Sequence, residues 1–120
     1  MIGVDAGYVR SEQLRVDPSH FQAVDVAQPF RLGRDFDLAQ CLEVAEHLDP
    51  SAGETLVDNL AAHAPIVVFS AAPPGQGGEH HVNERPYEYW RRLFARRGYA
   101  CFDFLRPRIR SPRRRRAACL

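Results

Sequence analysis

The chain has 120 residues, 45% of them hydrophobic and 26% charged, with 16 basic residues against 15 acidic. That size holds one small domain, and the balance is that of a globular protein rather than a disordered or membrane-embedded one. All 16 basic residues are Arg, and seven of them follow Leu105, so the first 105 residues carry a formal charge of −6; an acidic body of this kind excludes a basic nucleic-acid-binding domain.

No apolar run approaches the roughly 20 residues of a membrane span, and Met1-Ile2-Gly3-Val4-Asp5 has no basic leader pattern. A cytoplasmic protein without membrane association is expected. Cys41, Cys101 and Cys119 have neither paired nor metal-binding spacing. They read as small hydrophobes in a reducing compartment.

Residues 1–4 predict a short strand that ends at Asp5. Asp17-Pro18-Ser19 is a turn. Residues 21–26 alternate as a strand, with Asp25 near its end. Residues 36–42 form the next strand, followed by the polar segment 43–47. Glu43, Glu46 and His47 therefore lie at a strand's carboxyl end, where open α/β sheets bind ligands. His47 is read first as a satisfied structural group at a helix or loop start.

Ser51-Ala52-Gly53-Glu54 has the pattern of a capping box. Leu56, Val57, Leu60, Ala61 and Ala64 then recur at helical spacing, and Pro65 ends that helix. Residues 66–70, Ile-Val-Val-Phe-Ser, are a β-branched run typical of a buried strand. A loop of about 14 residues follows, and loops of that length are usually functional or disordered. Pro86 suits the first turn of a second helix. Tyr87, Trp90, Leu93 and Phe94 share one face of it, read as core packing, and Gly98 closes it. Residues 99–105 read as a last strand. Residues 106–120, rich in Arg with Pro and Ser, read as a disordered tail. It is solvated or, alternatively, binds nucleic acid or an acidic partner. The alternation of strands and helices predicts an α/β fold with a parallel sheet.

These pieces resemble the class I S-adenosylmethionine-dependent methyltransferases. Gly3-Val4-Asp5 resembles the family's second strand with its terminal acid. Val24-Asp25-Val26 resembles the third strand and its acid. Phe36 through Leu48, with Leu42-Glu43-Val44-Ala45-Glu46-His47-Leu48 at its end, resembles the fourth. The resemblance covers about residues 2–105. It implies a Rossmann-like sheet with helices on both faces, here incomplete at both ends. The family's glycine-rich turn after its first strand, and its seventh strand, have no counterpart in this sequence. The domain is then 1–105, a partial methyltransferase domain, and 106–120 the tail. The resemblance implies S-adenosyl-L-methionine as cofactor and a small molecule as methyl acceptor. Asp5 would accept from the ribose hydroxyls, since a carboxylate offers two acceptor oxygens to a vicinal diol. Asp25 and the Val26 amide would hold the adenine, and Leu42 and Glu43 would line the methionine end.

Gly75-Gln76-Gly77-Gly78 is the one glycine cluster, but Glu79 directly after it argues against a phosphate cradle. His80 and His81 are candidate general bases, with side chains that titrate near neutrality. Adjacent histidines point differently and no further ligand pair is spaced to help, so no metal site is expected from residues 79–84. The alternative to an enzyme is a non-catalytic interaction module whose sheet a partner chain completes.

Overall fold

The computed structural model describes residues 1–109. Its strands are β1 (Gly3–Asp5), β2 (Phe21–Ala23), β3 (Ala39–Leu42) and β4 (Val67–Ser70). Its helices are α1 (Gly53–Ala61), α2 (Tyr87–Ala95) and the short α3 (Leu105–Ile109). β1 and β2 pair in parallel, from Gly3 opposite Phe21 to Asp5 opposite Ala23. β3 and β4 pair in parallel, from Ala39 opposite Val67 to Leu42 opposite Ser70. The fold is α/β, but among the described residues the strands form two separate two-stranded sheets and not one.

β2 and β3 are shorter than their sequence runs, and hydrogen bonds beside them show why. β2 stops at Ala23 because Asp25 turns the chain: its carboxylate accepts from the Ala27 amide at 2.9 Å and its carbonyl from Gln28 at 3.0 Å. β3 starts at Ala39 because the Phe36 amide is taken off the ladder by the His63 carbonyl, at 2.8 Å.

The chain enters α1 through a single 3-10 turn, Pro50–Ala52. The capping box expected at Ser51 is not formed. Asp49 takes both the Ser51 amide (2.8 Å) and the Ser51 hydroxyl (2.6 Å), which holds Ser51 in the 3-10 turn, and α1 begins later with Ala52 at its cap and no side-chain cap bond. Proline at the turn's first position leaves no donor unsatisfied. Asp17-Pro18-Ser19 does the same before β2.

The core is one cluster in which Cys41 of β3, Ala45, Leu56 and Val57 of α1, Ala71, and Trp90 and Leu93 of α2 meet. Trp90 is 3% exposed and packs on Phe69, with ring centroids 5.3 Å apart. Burial pushes the Cys41 thiol up to about 12. At neutral pH it therefore holds its proton and acts as a hydrophobe. Cys101 is exposed.

Gly98 closes α2 as expected, with φ +83°. Its amide reaches Ala95 O (3.0 Å), and the Tyr99 amide reaches Phe94 O (3.1 Å), the double bond of a Schellman turn. The strand expected over 99–105 is absent. Tyr99 is held back on the body through its hydroxyl, which donates to the Ala64 carbonyl. Beyond it, Phe102 and Phe104 are exposed, and this stretch meets no strand edge with which to share a ladder. The tail does not begin as expected either. Residues 105–109 form α3, while the remaining residues of the expected disordered tail, 110–120, lie outside the described residues.

The first pair is tied to the rest by a polar clasp. Asn59 of α1, 5% exposed, accepts from the Phe30 amide (3.2 Å) and donates to the carbonyls of Val26 (3.1 Å) and Gln28 (2.9 Å). His63 accepts from the Leu32 amide at 3.0 Å and stacks on Phe30. Among the described residues, residues 1–25 otherwise hydrogen-bond only to one another and to the turn at 27–28.

Arg97 secures α2 on α1. Its Nε donates to Asp58 at 2.5 Å and its Nη1 to Leu93 O at 2.8 Å. The Arg97 hydrogen bond holds the Asp58 carboxyl below its usual range. A carboxylate with a lowered folded pKa adds stability above its unfolded value, near 3.9, and loses it as pH falls through the folded value. Asp58 is 62% exposed, so solvent screening keeps the pair to about 0.2–1 kcal/mol. Asp58→Asn is expected to lower the urea midpoint at pH 7 and to match the parent chain once pH falls below the folded pKa. Equal midpoints at both pH values would remove the pair from the account of stability.

Candidate functional site

The carboxyl end of β3 is where chemistry-bearing side chains converge. Glu43 follows the strand in a left-handed conformation, φ +54°, which non-glycine residues rarely adopt. Its amide donates to Ser70 O at 3.1 Å, and the Ser70 hydroxyl donates to Glu43 Oε1 at 2.6 Å. That hydroxyl is the main reason the Glu43 carboxyl lies below its usual range, with Glu46, Gln76 and His81 adding to it.

The turn Ala45–His47 comes next. Glu46 is fully buried, and neither carboxylate oxygen has a hydrogen-bond partner. Its backbone carbonyl, by contrast, accepts from both Val82 (2.9 Å) and Asn83 (3.0 Å). Asn83, 2% exposed, also donates its side-chain amide to Ala45 O at 3.2 Å. These bonds fasten the long loop after β4 to the turn after β3. The fastening lays His81 beside His47, ring centroids 4.9 Å apart and nearly perpendicular.

Both imidazoles are oriented through Nδ1. That of His47 lies 3.3 Å from the His80 carbonyl oxygen, and that of His81 lies 3.0 Å from Glu84 Oε1. Glu84 also receives the amides of Gly75 (2.8 Å) and Gly77 (2.7 Å). The His81 bond is the first cause of its lowered carboxyl. Two amides of the glycine cluster are thus taken by a carboxylate of its own loop.

The remaining expected site residues lie elsewhere or are loosely held. His80 is exposed at φ +59°, its Nε2 3.5 Å from Glu79. Leu42 is 42% exposed at the end of β3. Asp5 ends β1, exposed, with Oδ1 on the Ala6 amide at 2.7 Å. Asp25 is exposed just past β2, and the Val26 carbonyl is fixed by Asn59. Asp5 and Asp25 sit together at one end of the first pair, joined through the bond from the Val24 amide to Asp5 O (2.9 Å). Glu43, Glu46, His47 and His81 gather at the end of the second.

Three positioning residues escape the sequence reading: Ser70, which holds Glu43, and Asn59 and Asn83, which fasten loops to helix and turn. Each acts across 27 or more positions, and no local pattern marks such a partner. A shallow depression of about 300 Å3, lined by Pro29, Phe30, Arg31, Asp58, Asn59 and Ala62, shares none of the residues gathered after β3. Comparison with protein-family models, with curated proteins and with solved structures returns no match.

Proposed function

We propose that this chain is a class I methyltransferase-type domain that binds S-adenosyl-L-methionine and serves methyl transfer to a small-molecule acceptor. The observation that carries the reading is the placement of acids at the carboxyl ends of both parallel pairs: Asp5 and Asp25 on one, Glu43 on the other. Carboxyl ends of parallel strands are where open α/β sheets bind their ligands. In this reading the two pairs belong to one Rossmann-like sheet covered by helices on both faces.

The residues fit the cofactor's chemistry. Asp5 spends one oxygen on its neighbour's amide and is otherwise exposed, leaving acceptor capacity for a diol. Asp25 and the Val26 amide serve the adenine, and Leu42 and Glu43 the methionine end. When bound, S-adenosylmethionine supplies an activated methyl group for direct displacement by the acceptor. The chain's own share is positioning, which is worth much of such a barrier. His81, turned by Glu84, is the oriented base for the acceptor's proton; His80 is the exposed alternative.

Titration of S-adenosylhomocysteine into the folded chain tests this by calorimetry. Binding is expected, and Asp5→Ala is expected to weaken it by about 10–100-fold, the equivalent of about 1.5–3 kcal/mol for hydrogen bonds to a charged group. A folded chain that takes up no heat with the ligand overturns the reading. A second reading then takes its place: a non-catalytic module whose sheets a partner chain completes. It is favoured by the two separate strand pairs and by exposed Leu38, Leu42 and Ile66 next to or within the second. Its mark is a stable complex with another chain and no cofactor affinity.

A further inference from the structure

We infer that Glu46, His47 and His81 form a binding site for one divalent first-row transition cation, a site that does not rest on the methyl-transfer reading although it takes His81 from the base's role there. One ligand atom from each of the three lies within 4.8 Å of the others. A carboxylate with two imidazoles is a donor set for such ions.

Two observations beyond proximity point to a cation. The first is Glu46. A fully buried carboxylate is costly to keep unpaired, and here neither oxygen has a hydrogen-bond partner; the Glu43 carboxyl, which Glu46 helps to keep ionised, is an acid and not a counter-charge. The same residue's carbonyl is satisfied twice, and Asn83 is drawn to Ala45 O and not to the carboxylate. A cation between Glu46 and the two rings supplies the missing partner.

The second is the state of the imidazoles. A backbone carbonyl only accepts, so the Nδ1 of His47 carries the proton that points at His80 O. The carboxylate of Glu84 fixes the proton of His81 on Nδ1 in the same way. In the neutral rings both lone pairs then sit on Nε2. Metal-binding histidines are oriented in this manner, by a carbonyl or carboxylate on the other nitrogen.

The 4.8 Å within which the ligand atoms lie is wider than the roughly 3.3 Å expected around a tetrahedral ion with bonds near 2.05 Å. His47 is exposed, and a small shift of its side chain that keeps the Nδ1 contact to His80 O closes that distance, whereas Glu46 and His81 are held by the core and the loop. Three protein ligands leave a coordination position open to water or to an oxygen donor. With the cation on His81, proton acceptance from an acceptor passes to His80.

Zn2+ titrated into the full chain is expected to bind at one ion per chain and to raise the thermal midpoint. Glu46→Gln keeps the side chain's size and removes its charge. It is expected to lower Zn2+ affinity by at least the order of 10–100-fold that loss of an orienting partner costs, with no fall in the metal-free midpoint. His47→Ala, at an exposed position, is expected to weaken binding on the order of tenfold or more without unfolding the chain. Co2+ is expected to give ligand-field bands without a thiolate charge-transfer band. The inference is overturned if the folded chain binds no Zn2+. It is overturned equally if binding survives both substitutions, or if a thiolate band places the ion on Cys101 or Cys119.

Discussion

Trp90→Ala is expected to cost about 3–5 kcal/mol, the range for deleting a buried aromatic side chain. Trp90 is where the two halves of the core meet: Phe69 of β4 on one side, Tyr89 of its own helix on another, and Gly53 at the start of α1 beneath. A Cβ added at Gly53 would come within 3.4 Å of the indole ring, so helix α1 approaches closely because that residue is a glycine. Small domains are stable by only about 5–15 kcal/mol, so the loss takes a large part of the total. Trp90→Phe should be milder. It keeps most of the apolar volume and removes an indole N–H that is buried without a partner, a group that costs about 1–3 kcal/mol when unsatisfied. Urea unfolding followed by far-ultraviolet circular dichroism checks both, since Trp90 is the chain's one tryptophan and fluorescence is lost with it. A shift under 1 kcal/mol for Trp90→Ala would place the core elsewhere.

Asn59→Ala is the second large effect. It strips partners from the Phe30 amide and from the carbonyls of Val26 and Gln28 in one step. Unpartnered buried groups cost about 1–3 kcal/mol each. Gln28 is exposed and recovers water, so the total is expected at about 2–4 kcal/mol. The accompanying sign is local: hydrogen exchange at the Phe30 amide should accelerate far more than exchange in β4. Uniform acceleration would mean that Asn59 supports α1 and does not clasp the 26–30 segment.

Local regularities were legible in the sequence. The β-branched run at 66–70 gave β4, the spacing of Leu56, Val57 and Leu60 gave α1, and the aromatic stripe with Gly98 gave α2 and its closure. The acids after the strands were legible as well: Asp5 and Glu43 stand where strand ends were expected, and Asp25 follows one. What the sequence hid is competition and distance. Ser51 matches a capping pattern, yet Asp49, two residues before it, binds its amide and hydroxyl and makes it part of a 3-10 turn, so that the cap of α1 falls one step later, at Ala52. Residues 99–105 have strand-like composition, but a strand exists only with a neighbour, and Tyr99 is drawn to Ala64 instead. Glu46 and His47 were expected past the carboxyl end of a strand, and they stand there after β3. Their convergence with His81 depends on Asn83 bonding the 3-10 turn, a contact 38 residues apart in sequence.

The clasp has a bearing on cooperativity. Residues 1–25 lean on the body mainly through the short segment that follows them, so they form a foldon that can open while the α1–α2 core stays intact. A chain built this way is not bound to unfold in one step, and a single melting midpoint then describes only the core. Asp5 belongs to the part expected to open first.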